Sequence, residues 1–386
     1  MRVLPIVVPC VLAGIGGFFL GRLDSSSGQQ ADGAAGMADR PAAGASADHR
    51  AAGGKSGGSA RGNSPNRSAG GFASAMKGSL GHSLESERLE RWMALLAGME
   101  PADAPAVAAM LRDEKAVGHL FGIETMMFWQ TWGRVDPKGA WAYVQEHPEE
   151  AGKEGVNSLL KSWAFKDPAG ARAAFEELGD SPLRAAALSG LGHGLAESDP
   201  AAAVAFASGL PNGQQTEAAV HISGSIIYTM GNEGAQAWFD KLPADSPAFN
   251  KESARVLMEA LSRSDPGSVE KFAFARLDQE WSARPAEQNF AASMIARNGG
   301  SPWEYVSKVM EKYPRPEEPL AFTAWVANLD PQSAIAWADA NPNDHATDAI
   351  LAGTAQVYLK HGKPDEAAAL LERVKDPAMR GLAGGQ

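Results

Sequence analysis

Few residues in this sequence are spaced as a reactive site requires. His193 and Glu197 are the nearest pair of metal-ligand residues at helical spacing, and the chain has one cysteine and no H-E-x-x-H pattern. Two such residues do not complete a metal site. Gly190, Gly192 and Gly194 lie in the sequence GLGHG but follow no predicted strand, so close packing of helices explains them better than a dinucleotide loop. The sequence therefore predicts neither a metal site nor a nucleotide cofactor.

Two further motifs could indicate an enzyme. The sequence GGKS at 53–56 matches the end of a phosphate-binding loop, but His49 replaces the first glycine of that motif and no strand precedes it. The dipeptide Glu85-Ser86 resembles the catalytic glutamate and serine of lytic transglycosylases, which combine an envelope location with a helical superhelix. It stands in a charged first helical turn, with no further domain to build a sugar cleft. We therefore predict no catalytic residues, and we keep a helical-toroid enzyme as the least favoured alternative.

The elements that would position any site come from one repeated template. The segment 330–342, DPQSAIAWADANP, recurs as DPAAAVAFASGLP at 199–211 and as DPKGAWAYVQEHP at 136–148. The aspartate can cap a helix and the proline after it suits the first helical turn, whereas the second proline ends the helix. Each copy therefore predicts one short helix that begins directly after an Asp-Pro turn.

The template recurs with a period of about 32 residues through most of the chain. Its first helical residue falls in turn at Pro105, Pro137, Pro168, Pro200, Asn232, Pro266, Pro302, Pro331 and Pro364. Mostly apolar residues five and nine positions before seven of these predict a longer helix ahead of the short one. The fold class is predicted to be all-α, a right-handed solenoid of about nine helical-hairpin repeats of 32–33 residues. The pattern slips once, around residues 281–302.

The last unit, YLKHGKPDEAAALLERVKDP, resembles a tetratricopeptide repeat. Tyr358, Gly362, Ala367 and Leu371 stand at the tyrosine, loop, alanine and phenylalanine positions of that motif. Elsewhere the period is shorter, so the chain is tetratricopeptide-like or HEAT-like, and is similar to repeat proteins anchored in bacterial envelopes. This resemblance implies that a protein or peptide binds along a concave surface, and it implies no chemistry.

The N-terminal part of the chain differs from the repeats. Residues 1–22 contain an uncharged apolar run between Arg2 and Arg22, which predicts a transmembrane anchor or a signal segment. Residues 23–82 are rich in Gly, Ala and Ser and predict a disordered tether, and residues 83–386 are predicted to form the solenoid. The repeat domain is expected on the periplasmic or extracellular side of a single-pass anchor, or to be secreted if the segment is cleaved. No nucleic acid partner is expected.

One row of polar residues on the longer helices is the predicted partner-binding face. Positions seven and eleven before the Asp-Pro proline lie one helical turn apart and point away from the apolar stripe. We expect a protein, a peptide or an acidic polymer to contact this row, with the two histidines strengthening binding below about pH 6.5 as they protonate. The residues selected are Trp129, as an aromatic anchor, with Gln130, Lys161, His193, His221, Ser225 and Arg255.

The function expected from the sequence is that of a membrane-tethered scaffold that binds a protein or peptide in the cell envelope. The composition, with a net charge of -11 over 386 residues and one cysteine, describes a long, acidic, helix-compatible chain and not a disulfide scaffold. A self-associating structural spacer is the alternative from a different class. The least favoured alternative, an enzyme, would be a polysaccharide-acting lyase or transglycosylase.

Overall fold

The computed structural model describes residues 68–119, 121–313 and 319–384. In these residues the chain forms nineteen α-helices and two 3₁₀-helices and contains no strand, which confirms the all-α class. The chain divides into two compact units, one ending at Glu124 and the other beginning at Thr125. No helix in the described residues is long and apolar enough to cross a bilayer. The predicted anchor or signal segment and residues 23–67 of the predicted tether lie outside the described ranges.

The helices follow one another in the order of the sequence. The first of them are α1 Ala69–Leu80, α2 Glu85–Leu96, α3 Ala104–Ala116, α4 Gly122–Val135, α5 Pro137–Glu146, α6 Pro148–Lys166, α7 Pro168–Glu177, α8 Arg184–Ser198, α9 Pro200–Ser208 and α10 Asn212–Phe239. The rest are α11 Pro247–Ser264, α12 Pro266–Phe274, α13 Pro285–Arg297, α14 Pro302–Lys312, α15 Pro319–Ala327, α16 Pro331–Ala340, α17 Thr347–Lys360, α18 Pro364–Arg373 and α19 Pro377–Gly384. The 3₁₀-helices are Pro101–Asp103 and Glu280–Ala283.

Helix α1 of the first unit lies inside the segment that the sequence predicts to be tether. Ser68 caps this helix by accepting a hydrogen bond from the Gly71 N–H at 3.1 Å. Phe72, Met76 and Leu80 are buried four residues apart on one face, and α1 packs against α2 and α3. The predicted tether is therefore too long at its C-terminal end, because these three side chains bury an apolar stripe that glycine-rich composition conceals.

Several helix pairs meet at a corner made by a single aspartate. Asp136, Asp167 and Asp199 each have extended φ, and each donates its N–H to a carbonyl four residues earlier while its side chain caps the next helix. The proline that follows needs no hydrogen-bond donor at this position. Two helices can therefore be joined by one residue, which fixes the angle between them without a flexible loop.

Helix α10 contains the same corner in another form. Its helical hydrogen bonding is continuous from Asn212 to Phe239. However, Gly231 has φ 68° and ψ 177°, and this kink divides the helix into a long part and a short part. Glycine tolerates this left-handed φ at no steric cost. The short part begins at Asn232, the residue that the sequence identifies as the equivalent of the helix-starting proline.

The first and second helices of successive pairs alternate along the second unit, and the first helix of each pair is called long here, although α15 has only nine residues. The long helices pack in order, α6 on α8, α8 on α10, α10 on α11, α11 on α13, α13 on α15, and α15 on α17. Most short helices pack on the long helix of their own pair, as α7 does on α6 and α9 does on α8. The short helices are α5, α7, α9, the end of α10, α12, α14, α16 and α18. The core is therefore continuous from pair to pair.

Large apolar side chains at equivalent positions of successive units are largely buried. Phe206, Trp238 and Phe272, six residues after the start of their short helices, are buried, and Phe128, Trp132 and Leu159 from long helices are also buried. Trp337 is only half-buried. Burying a large aromatic side chain contributes about 1.5–3 kcal/mol, so these residues stabilise contacts between neighbouring pairs.

The slip in the repeat lies between α12 and α13. Here the chain forms the 3₁₀-helix Glu280–Ala283, and its Trp281 packs against Phe239 with ring centroids 6.1 Å apart and against Phe272 at 6.5 Å. The residues from 277 to 284 are called the inserted turn below. The extra residues therefore leave the helices and extend the core.

Candidate functional site

Polar side chains link the long helices α6, α8 and α10 at a spacing of 32 residues. Asn157 donates to the hydroxyl of Ser189 at 2.7 Å, and that hydroxyl lies 3.2 Å from Nδ1 of His221. One helical turn further on, Nδ1 of His193 lies 2.5 Å from the hydroxyl of Ser225. We call these five residues, together with the ion pair of Lys161 and Glu197 at 2.8 Å, the polar ladder.

Side chains of the polar ladder on α6 and α8 can reach one another because the two helices approach closely. A Cβ placed on Gly190 would lie 2.2 Å from the carbonyl oxygen of Asn157, and one on Gly194 would lie 2.3 Å from that of Lys161. Glycine at both positions lets the two backbones meet. This supports the helix-packing interpretation of the GLGHG sequence and sets the distance that the ladder spans.

The two histidines of the ladder face each other inside the helix seam. Their ring centroids are 5.2 Å apart. Burial, together with the positive charges of His221 and Lys161, lowers the pKa of His193 to about 3, and burial also lowers the pKa of His221. A neutral His193 at pH 6 contradicts the expectation that protonation of both histidines strengthens binding below about pH 6.5.

Arg255 continues the row on α11 but is already paired. Its Nε donates to Oε2 of Glu287 at 2.7 Å and its Nη2 lies 3.4 Å from Oε1, which is a two-point contact. Only 2% of the Glu287 side chain is exposed, and Nζ of Lys251 lies 3.9 Å from it. Arg255 thus neutralises a buried carboxylate of the protein itself. Lys161 is also paired within the protein, with the partly exposed Glu197 at the end of the ladder.

The other two selected residues lie on α4. Trp129 is 1% exposed and stacks on Trp132 with ring centroids 5.3 Å apart, so it is a core residue and cannot act as an exposed anchor. Gln130, next to it, is half-buried. The prediction that Trp129 is an exposed anchor is therefore wrong. Three large aromatic residues within five positions of α4 are buried, so more than one face of this helix is covered.

The structure exposes a set of large apolar side chains that the predicted binding face does not include. They are 39–54% exposed and stand two to six residues before the first residue of the following short helix. We call them the apolar edge, and they are Val135, Phe165, Tyr228, Met230, Trp325 and Leu329. Their recurrence at the same end of four long helices could have been found in the sequence, but without burial they resemble core positions.

One group of side chains has donor atoms of the kind that bind metals. One ligand atom from each of His147, Glu149 and Glu150 lies within 4.8 Å of the others. Glu150, however, accepts a hydrogen bond from the Tyr143 hydroxyl at 2.5 Å, and Glu149 is exposed. The hydrogen bond from Tyr143 satisfies the buried carboxylate of Glu150. The three residues are also near neighbours in the sequence, at the start of α6.

The residues considered for catalysis or metal binding are not arranged as a site in the part of the chain that the structure describes. Glu85 is exposed in the first turn of α2, with its carboxylate 3.9 Å from the Arg88 guanidinium. His193 and Glu197, the pair closest to metal-ligand spacing, bind Ser225 and Lys161 instead of converging. No family model, no curated protein and no solved structure matches this chain.

Proposed function

We propose that this chain is a helical-repeat scaffold, tethered to a membrane through its N-terminal segment, that binds a protein or peptide partner in the cell envelope. The proposed architecture is a right-handed solenoid of about nine helical hairpins. The alternation of long and short helices and the ordered packing of each long helix on the next support it. Arrays of this kind present one long surface built from equivalent positions of successive units.

The apolar edge is the observation that carries this proposal. Exposed aromatic and large aliphatic side chains that recur at one end of the long helices are costly in water, and they are typical of surfaces that bind other proteins. Phe165, Tyr228 and Trp325 provide aromatic groups of the type that dominates binding energy at interfaces. A protein or peptide running across the helix ends would bury them in turn.

The polar ladder has a supporting role in this proposal. Its inner members, such as the buried Ser225 and the half-buried His193, position the long helices, whereas Gln130, Lys161 and Arg255 keep part-exposed atoms beside the seam. These three remain the proposed polar contacts of the partner. Because Lys161 and Arg255 already have internal partners, their net gain from an acidic ligand is small, and apolar contacts provide most of the affinity.

The proposal is tested by site-specific photocrosslinking of the full-length chain in its native envelope. A photoreactive residue is placed at Phe165 or Tyr228 on the apolar edge, and at Lys138 or Lys271 as exposed controls on short helices. We expect the same defined partner to be captured at both edge positions and not at the controls. Equal capture at all four sites would refute the edge as the binding surface, and crosslinks only between two copies of this chain would favour a self-associating spacer.

A further inference from the structure

Two Asn-Gly pairs occur in the sequence, at Asn212-Gly213 and at Asn298-Gly299. In such a pair the backbone nitrogen of glycine can attack the side-chain amide carbon of asparagine, because glycine has no side chain to crowd the approach. The reaction needs a glycine N–H without an acceptor, a free asparagine side chain and rotation about the Cα–C bond of asparagine. The two pairs differ in how well the structure meets these needs.

The first pair lies at the start of helix α10. Asn212 is the first residue of this helix and is exposed, and its side-chain amide forms no hydrogen bond to any residue that the structure describes. The first helical donor is the N–H of Gln215, which donates to Pro211 O at 2.9 Å. The N–H of Gly213 precedes it and has no acceptor among the described residues. The attacking nitrogen and the attacked amide are therefore both free.

The start of α10 also permits the rotation that ring closure requires. The carbonyl of Asn212 accepts from the Thr216 hydroxyl at 3.2 Å, so rotation loosens only the first turn. This end has no side-chain cap, because Pro211 precedes it, and no acidic residue stands in its first turn. The unsatisfied N–H groups and the helix dipole favour the negative charge that the Gly213 nitrogen develops as it loses its proton.

The second pair is held closed at the end of α13, the helix that follows the inserted turn. Nδ2 of Asn298 donates to Met294 O at 2.7 Å, and the N–H of Gly299 donates to Ala296 O at 3.1 Å. Both hydrogen bonds must break before the ring can form, which reduces the reactive population by about tenfold or more. The negative end of the helix dipole also disfavours an anion here.

We propose that Asn212 is a modification site at which the chain deamidates itself. The Gly213 nitrogen gives up its proton to the solvent and bonds to the side-chain carbon of Asn212. The amide nitrogen takes up a proton and leaves as ammonia, so a five-membered succinimide remains. Water then adds its hydroxyl to either carbonyl carbon and returns a proton to the ring nitrogen. The products are aspartate and isoaspartate, and this inference does not rest on the proposed function.

Deamidation makes the charge at the start of α10 depend on the age of the molecule. Aspartate places a carboxylate in a first turn that has no acidic residue, where the helix dipole stabilises it. Isoaspartate routes the backbone through the side-chain carbon and lengthens this turn by one atom. Asn212→Asp should therefore raise the midpoint of urea denaturation, and a lower midpoint would contradict the stabilising effect of the new carboxylate.

The test follows both pairs in the folded full-length chain during incubation in mildly alkaline buffer. Peptide mass spectrometry separates asparagine from its acidic products. We expect Asn212 to convert about tenfold or more faster than Asn298, because only the second pair must break two hydrogen bonds. In concentrated urea, where neither pair is held by structure, the two rates should be similar. Equal rates in the folded chain, or the same difference in urea, would overturn the proposal.

One variant checks the nucleophile. Gly213→Ala adds a Cβ at a position that no atom approaches within 4 Å, so the fold is retained while the methyl group crowds the attacking nitrogen. Conversion of Asn212 should slow severalfold, conversion of Asn298 should not change, and the melting temperature is the check on folding. Unchanged conversion of Asn212 in the folded variant would refute attack by the Gly213 nitrogen. If the variant unfolds, the comparison of the two native pairs decides.

Discussion

Replacing Gly190 with alanine should separate helices α6 and α8. The new Cβ would lie 2.2 Å from the carbonyl oxygen of Asn157 and 3.0 Å from its Cα, more than an ångström short of van der Waals contact with the oxygen. Both atoms belong to the backbone, so no side-chain rotation relieves the overlap. Overpacking of this kind costs about 1–3 kcal/mol or more, and alanine returns about 1 kcal/mol through helix propensity. We expect a net loss of about 2 kcal/mol.

Gly192 provides a matched control in the same helix. A Cβ there would lie 3.4 Å from Cγ1 of Ile222, an ordinary contact, so Gly192→Ala gains helix propensity without overlap. Gly224→Ala on α10 is a second control, because nothing lies within 4 Å of its Cβ position. Both should be stabilised by up to about 1 kcal/mol.

The assay is urea denaturation of the full-length variants, followed by circular dichroism, together with amide hydrogen exchange of α6 and α8. Gly190→Ala and Gly192→Ala should differ by about 3 kcal/mol in the free energy of unfolding, with faster exchange in both helices of the Gly190 variant. Similar stability of the two variants would show that the backbones do not approach as closely as described, and the geometry of the polar ladder would then be incorrect.

Three further results are expected. Stability should fall by about 2 kcal/mol from pH 7 to pH 5, because His193, with its pKa lowered to about 3, excludes a proton that the unfolded chain binds near pH 6.5. The loss of stability begins as the pH falls through 6.5. His193→Gln should reduce this loss when the free energy of unfolding is measured as a function of pH. Arg255→Ala should cost about 3 kcal/mol in urea denaturation by leaving the Glu287 carboxylate with only a distant lysine. Arg255→Met combined with Glu287→Gln should recover more than half of that loss, and a smaller recovery would argue against the buried pair. Trypsin should leave a fragment that begins at Ser68, because α1 holds Lys77 in an ion pair with Glu114 at 2.7 Å; rapid cleavage at Lys77 would contradict a folded α1.

The sequence predicts where helices start at the Asp-Pro corners better than it predicts which side chains are exposed. Asp136, Asp167 and Asp199 identify helix starts because capping depends on residues only two or three positions apart. Asn232 was assigned correctly even without its proline, since the spacing of the other units required a helix start there. Helix α1 was missed because Phe72 and its neighbours are few among glycines and alanines.

The candidate site was predicted only in part. The polar row was identified by helical periodicity, but periodicity does not reveal whether a polar face meets water or another helix. That depends on the distance between α6 and α8, which Gly190 and Gly194 set through contacts 32 or more residues away in the chain. The same limit explains Trp129, whose burial requires knowledge of both neighbouring helices.

The 32-residue spacing of the polar ladder constrains how the length of this chain can change. A deletion that joins Asp167 to Pro200 removes 32 residues, retains the Asp-Pro corner and places Asn157 at ladder spacing from His221. A deletion one residue shorter would rotate the side chains that follow it on the same helix by about 100°. That rotation takes the ladder and the apolar edge out of register. Gains and losses of sequence should therefore be tolerated as whole units or as turns excluded from the helices, as at residues 277–284, and a library of deletions sorted for folding would show this as a periodic pattern of survival.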